Sequence, residues 1–277
     1  MSVEELDELL KLRHLNRRKM LAAMGITGAS VLSACKNSGS SNGSNTTSTT
    51  TTTTVGTDDS TDDTDTTDTA DTSDDDTVDS CVLIPQETQG PYPLLAIISN
   101  SGMVRTDITE GKAGIPLTLK LKLVDVNNSC ASIPYGSVYV WHCDKDGVYS
   151  GYSNQTGGVN AIGETFCRGI QDTDENGEVT FTTIYPGWYN GRITHIHFQV
   201  YLFNSAISTA TSQIAFPQDV TRTVYNSSLY AARGQNTSVG SFAADNVFSD
   251  GVTYQLADVS GDISSGYEAT LQVGIAI

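Results

Sequence analysis

The chain has 277 residues, with 32 acidic side chains against 15 basic ones and a formal net charge of −17. Eleven aspartates between positions 58 and 79, with no basic residue among them, carry most of that excess. A balance of this sign excludes a protein that grips nucleic acid by neutralising phosphates, and the 17 acids and 9 bases of residues 80–277, net −8, leave a stretch long enough for one full-sized folded core.

In chain order the first expected element is an export signal. The run N-R-R-K-M-L at 16–21 leads into a mildly apolar stretch that closes L-S-A-C at 32–35, the order of a twin-arginine signal ending in a lipoprotein box. The stretch is shorter than the about 20 apolar residues of a spanning helix. Cys35 is therefore the expected lipidated N-terminus, and the expected location is the bacterial cell envelope, in the periplasm or at the cell surface. Residues 36–79 are Ser, Thr, Gly and Asp with almost nothing apolar. Such a segment cannot bury enough surface to offset chain entropy, so it reads as a disordered, self-repelling tether. The expected division is signal 1–35, linker 36–79 and folded domain 80–277.

Strand signals dominate that domain. Leu117, Leu119, Leu121 and Leu123 alternate with polar residues, 137–142 is a β-branched and aromatic run, and Tyr267, Ala269, Leu271, Val273 and Ile275 alternate again. Gly, Asn and Asp clusters at 127–129, 144–147, 174–177 and 258–266 supply turns, and no long stretch shows a helical period. The pattern predicts an all-β domain, an antiparallel β-sandwich whose functional groups gather where loops and strand tips meet. Four cysteines besides Cys35, an even number in an exported domain, predict two disulfides. Three pairings are open; Cys81 with Cys130 and Cys143 with Cys167 are favoured. A thiolate metal site competes with this reading, although nothing has zinc-ribbon spacing.

The densest chemistry lies in Y-P-G-W-Y-N-G-R-I-T-H-I-H-F-Q-V at 185–200. As a strand, I-T-H-I-H-F-Q-V puts His195 and His197 on one face and Ile196 and Phe198 on the other. Turns at Pro186-Gly187 and Asn190-Gly191 present Tyr189 and Arg192 at the mouth of that strand. Singly, a His-x-His pair can be a solvent-facing rung, a tyrosine packing and an arginine a solvated turn residue. Together, within nine residues of a chain that has four histidines, they point to a metal site with a cation beside it.

A second block, V-Y-V-W-H-C-D-K-D-G-V-Y-S at 138–150, and a third, R-G-I-Q-D-T-D-E-N-G-E-V-T-F-T-T-I-Y-P-G-W-Y at 168–189, complete a pattern. From about residue 81 to 217 the chain resembles the intradiol ring-cleavage dioxygenases, the group of protocatechuate 3,4-dioxygenase and catechol 1,2-dioxygenase. The W-H-x-x-x-x-G-x-Y and P-G-W-Y-x-G-R-x-x-H-I-H blocks are the most specific parts. The resemblance implies Fe(III) held by Tyr149, Tyr189, His195 and His197, with Tyr152 the alternative to Tyr149. It places the family's active-site arginine on Arg192 and a glutamine near the metal on Gln213, and it makes Tyr189 the ligand that a catechol displaces. His142 falls on no ligand position. Gly90, Pro91 and Tyr92 line or cover the pocket, or simply pack.

The donor set suits that metal on chemical grounds as well. Tyrosine has a solution pKa of about 10, so two tyrosines ionise at neutral pH only beside a strong Lewis acid, and hard phenolate oxygen suits ferric iron better than zinc. The implied function is cleavage of catechol-type rings by O2 between the two hydroxyl-bearing carbons, giving muconate-type diacids without an organic cofactor. The N-terminal helical dimerisation region of the cytosolic catechol enzymes has no counterpart here, and the spacing from Tyr189 to His195 is shorter than in the protocatechuate enzymes, which suggests a smaller, exported branch. The alternatives from other classes are a cell-surface β-sandwich that binds a glycan or an aromatic without cleaving it, and a structural lipoprotein domain.

Overall fold

The computed structural model describes residues 81–95, 100–202 and 208–277. The expected signal 1–35 with Cys35 and the linker 36–79 lie outside the described residues. Besides short 3-10 turns, nine strands and one short α-helix are described: β1 (Pro116–Asp125), β2 (Ala131–Ser132), β3 (Ser137–Trp141), β4 (Arg168–Asp172), β5 (Glu178–Ile184), β6 (His195–Tyr201), β7 (Ala210–Ala215), α1 (Gln218–Tyr225), β8 (Asp258–Asp262) and β9 (Gly266–Ile275).

Two sheets form. In the first, β1 is flanked on one side by β2 and β5 and on the other by β9, which carries β8 at the edge; the second has the order β4-β3-β6-β7. The four alternating leucines of β1 are buried, whereas Lys120 and Lys122 between them are exposed. Those leucines pack with Phe181 of β5 and Val273 of β9 against Val138, Val140, Ile196, Phe198, Val200 and Ile214 of the second sheet. This inter-sheet layer is the main core. Truncating one such leucine to alanine in a layer of this kind costs about 2–5 kcal/mol, enough to outweigh most single polar contacts in the domain.

Four details depart from the sequence reading. The first is that β1 and β9 pair in parallel, Leu117 opposite Tyr267 through Asp125 opposite Ile275, while the remaining strand pairs are antiparallel. No hairpin joins β1 to β9, so nothing forces them antiparallel. The second concerns residues 258–266: the part 258–262 is an edge strand, because the turn at Ile263, Ser264 and Ser265, held by the Asp262 carboxylate on the Ser264 and Ser265 N–H groups, folds it back onto β9. The third is α1, too short to show a period and burying only Val224 and Tyr225.

The last is a correction to the cysteine pairing. Cys81 and Cys130 form a disulfide, but Cys143 and Cys167 are free, buried thiols. The register explains it: Trp141 lies opposite Arg168, and the His142 N–H donates to the Cys167 carbonyl at 3.1 Å, so His142, not Cys143, is the neighbour of Cys167. Cys143 then packs with Trp141 and Tyr149, Cys167 with Val148, Phe166 and Ile184.

Candidate metal centre

Alternation along β6 turns Ile196, Phe198 and Val200 into the core and His195, His197 and Gln199 to the opposite face of the second sheet. The register then sets a row across four strands, Arg168–Trp141–His197–Gln213. The Trp141 ring lies flat on His197, with centroids 4.8 Å apart and an interplanar angle of 3°, and stacks on Tyr139 at 4.7 Å on its other side. The imidazole of His197 is thus held by packing.

Two loops bring tyrosines to this face. The turn after β3 carries Tyr149 and the turn after β5 carries Tyr189, and the two are joined by the Gly187 N–H donating to the Asp144 carbonyl at 3.1 Å. A Cβ on Gly187 would stand 2.4 Å from the Lys145 carbonyl oxygen, and one on Gly147, whose φ is +81°, would stand 2.1 Å from that of Trp188. Glycine at both positions is what lets the loops touch. Tyr149 and Tyr189 consequently meet edge to face at 5.5 Å, Tyr189 meets His195 at 5.6 Å, and His195 meets His197 at 4.7 Å between ring centroids.

The donor atoms converge. Nε2 of His195 lies 3.1 Å from Nε2 of His197 and 3.3 Å from the Tyr149 hydroxyl. Nδ1 of His195 donates to the Ile193 carbonyl, which leaves the Nε2 lone pair facing the cluster. His197 is fully buried, and among the described residues its Nδ1 has no hydrogen-bond partner. Burial, then Arg192, lowers the pKa of His195 to about 3; burial, then the His195 charge, holds His197 well below its ordinary value. Both rings are therefore neutral, the form a metal requires. Burial also pushes the Tyr149 hydroxyl well above the usual phenol range and raises Tyr189 to about 12, with Arg192 opposing the rise at both. Neutral imidazoles beside phenol oxygens are donors that could hold a hard, strongly Lewis-acidic cation. Among the described residues no group of three or more His, Cys, Asp or Glu side chains is placed to hold a metal, so a cation here would depend on the tyrosine oxygens.

The remaining predicted residues are placed as follows. Arg192 is buried; its Nη2 donates to Gln213 Oε1 at 2.6 Å, and its Nε donates to both carboxylate oxygens of Asp245 at 3.1 and 2.9 Å. Gln213 in turn donates to the Thr88 carbonyl at 2.9 Å. Tyr152 lies outside the cluster, its hydroxyl accepting the Leu94 N–H at 3.1 Å. His142 faces the other way, with Nδ1 against the Cys143 carbonyl and Nε2 against the Thr183 hydroxyl, each at 2.8 Å. The arm before β1 covers the site: Tyr92 stacks on Tyr149 at 4.6 Å, and a Cβ on Gly90 would stand 3.0 Å from the His197 ring.

Two buried charged residues escaped the sequence reading. Arg168 donates to Ser150 Oγ and its carbonyl, to the Tyr92 carbonyl and to the Tyr139 hydroxyl at 2.8–2.9 Å, which locks the Tyr149 loop, the arm and β3 together. Its position opposite Trp141 is a matter of register, visible only once β3 and β4 are paired. Asp245 lies more than 50 residues from Arg192 in a segment without strand or helix periodicity, and nothing in the local sequence marks it.

No family model matches the chain, and no curated protein does. Solved structures do. An intradiol ring-cleavage dioxygenase from Tetranychus urticae shares 28% identity over 71% of this chain and 95% of that one, with a TM-score of 0.61; a second dioxygenase shares 29% with the same coverage and TM-score. The fold is that of the intradiol ring-cleavage dioxygenases. The dioxygenase domain of a dioxygenase carbohydrate-binding protein fusion from Streptomyces sp. SirexAA-E, 23% identical over 71% of this chain and 99% of that one at a TM-score of 0.50, adds agreement in fold. Within this fold, the converging donors sit where β6 and the two tyrosine loops meet.

Proposed function

We propose that this intradiol-type domain is a non-haem ferric dioxygenase that opens catechol-type rings between the two hydroxyl-bearing carbons, placing both atoms of O2 in a muconate-type diacid. The observation that carries the reading is the convergence of His195 Nε2, His197 Nε2 and the Tyr149 hydroxyl, with His195 Nε2 within 3.3 Å of each of the other two and Tyr189 in ring contact. Tyr149, Tyr189, His195 and His197 would hold the iron. When bound, Fe(III) supplies the Lewis acidity that ionises the phenols and draws electron density from a catecholate.

The side chains do the rest. Tyr189 is less buried than Tyr149, and the nearby Arg192 charge opposes the rise of its pKa, so it is the oxygen able to leave and accept a catechol proton. Trp141 and the Ile193 carbonyl fix the two imidazoles. Arg192, held by Asp245 and Gln213 in a site largely closed to water, faces the negative charge that builds on the ring. Protein loaded with its metal is expected to be red-brown, from tyrosinate-to-ferric charge transfer, to contain about one iron per chain, and to consume oxygen with simple or substituted catechols. Protein that stays colourless after ferric reconstitution removes the site assignment, while a coloured protein that binds catechols yet consumes no oxygen with any of them is a binding module.

We further propose the division into signal 1–35, linker 36–79 and catalytic domain 80–277, with export and a lipid anchor at Cys35. The ordered arginine pair, apolar run and small-small-Cys box support it. In a bacterial host, Cys35→Ser is expected to move the protein from the membrane fraction to the soluble one; an unchanged membrane fraction excludes the anchor.

A further inference from the structure

Arg192 is held from behind by a carboxylate built for the purpose. Asp245 is fully buried and accepts from four N–H donors. Its Oδ2 takes Arg192 Nε at 2.9 Å and the Ile193 N–H at 2.8 Å; its Oδ1 takes the Val247 and Phe248 N–H groups at 2.9 and 3.2 Å and Arg192 Nε again at 3.1 Å. The segment that carries it packs Val239, Val247 and Phe248 against Ile193 and Ala215, and the Phe248 ring lies 5.7 Å from the guanidinium carbon of Arg192. Fixing Nε on Asp245 and Nη2 on Gln213 sets the plane of the guanidinium, close enough to Tyr189 for its charge to be the first to counter the burial that raises that phenol's pKa.

We propose that Asp245 is a positioning residue for ring cleavage, orienting Arg192 toward the reacting ring; the role rests on the dioxygenase reading above. The carboxylate also balances the arginine charge, so Arg192 acts as a pre-aimed donor and not as a loose cation. An amide cannot substitute: both oxygen positions of Asp245 face N–H donors, so in Asp245→Asn the amide NH2 group confronts at least two of them in either orientation. A guanidinium deprived of its partner in a buried site turns to the nearest negative charge, here the bound catecholate.

The test is a double-mutant cycle read by kinetics and colour on iron-loaded protein. Asp245→Asn is expected to keep iron and the colour shift on adding catechol and to leave KM unraised, while kcat falls by a factor on the order of 10². In an Arg192→Ala background the same substitution should change kcat by less than about threefold, because the side chain it orients is gone. Equal losses in both backgrounds, or wild-type turnover in Asp245→Asn alone, overturn the proposal. Should Asp245→Asn fail to fold, the charge-free pair Arg192→Ala with Asp245→Asn is expected to fold, and its failure would make Asp245 a scaffold residue only. Absence of cleavage in the wild type is a separate result, seen before any variant is made, and removes the dioxygenase reading together with this role.

Discussion

His195→Ala and His197→Ala are each expected to abolish iron retention, the largest effect of any single substitution in the domain. Each removes one of two imidazoles whose Nε2 atoms stand 3.1 Å apart, and neither has a substitute, since among the described residues the remaining histidine, His142, projects to the other face of the sheet. His142→Ala is the control. Both its ring nitrogens are already bonded within the protein, and burial lowers its pKa to about 4, so its role is packing and hydrogen bonding between the sheets. Its truncation leaves a cavity and an unpaired Thr183 hydroxyl, at a cost of about 1–3 kcal/mol, while iron per folded chain stays close to wild type. The measurement is metal content after gel filtration, with thermal melting alongside. Equal iron loss in all three variants would mean that the alternation of β6 does not decide which histidines bind.

Arg192→Ala should separate binding from turnover. Iron and visible colour are expected to remain, and the colour still to shift when a catechol is added, yet ring cleavage should fall by a factor on the order of 10² or more, the size of one lost transition-state charge partner. Stability should fall as well, because Asp245 is left buried without its cation. Arg192→Lys should recover only part of the activity: one ammonium on a flexible stem cannot reach Asp245 and Gln213 at once and still present a donor to the ring. Oxygen uptake and diacid formation across a catechol series provide the readout. Cleavage at the wild-type rate in Arg192→Ala would leave the metal site standing but remove the charge-stabilising role.

The residues of the candidate metal site were legible because they lie in two short local blocks. A period of two along 195–198 is enough to send both imidazoles one way, and Asp/Gly and Pro/Gly turns are enough to place Tyr149 and Tyr189 at loop tips. The choice of Tyr149 over Tyr152 came from the family resemblance, whose first tyrosine stands at that spacing after its tryptophan, and in the folded domain Tyr149 stands beside His195 while Tyr152 is bonded to the arm. The core was legible for the same reason, since the alternating leucines of β1 and the alternation of β9 report burial residue by residue.

What stayed hidden depends on register and on long-range pairing, which no window of sequence contains. Cys143 and Cys167 looked like partners at the ends of two neighbouring segments, but a one-residue offset between β3 and the start of β4 sets Cys167 beside His142 and sends the thiols to separate packing clusters. β8 reads as a turn because Asp, Ser and Gly disfavour strands, and it becomes a strand only because β9 offers it a paired edge. Arg168 and Asp245 carry charges that local sequence assigns to solvent; each is buried because hydrogen-bond partners arrive from distant segments. The sequence by itself determined which side chains could bind a metal and which faces are apolar, both local properties of alternation and residue type. Only the tertiary structure decided how Arg192 is aimed and which cysteines pair, because those follow from strand register and from a carboxylate delivered from more than 50 residues away.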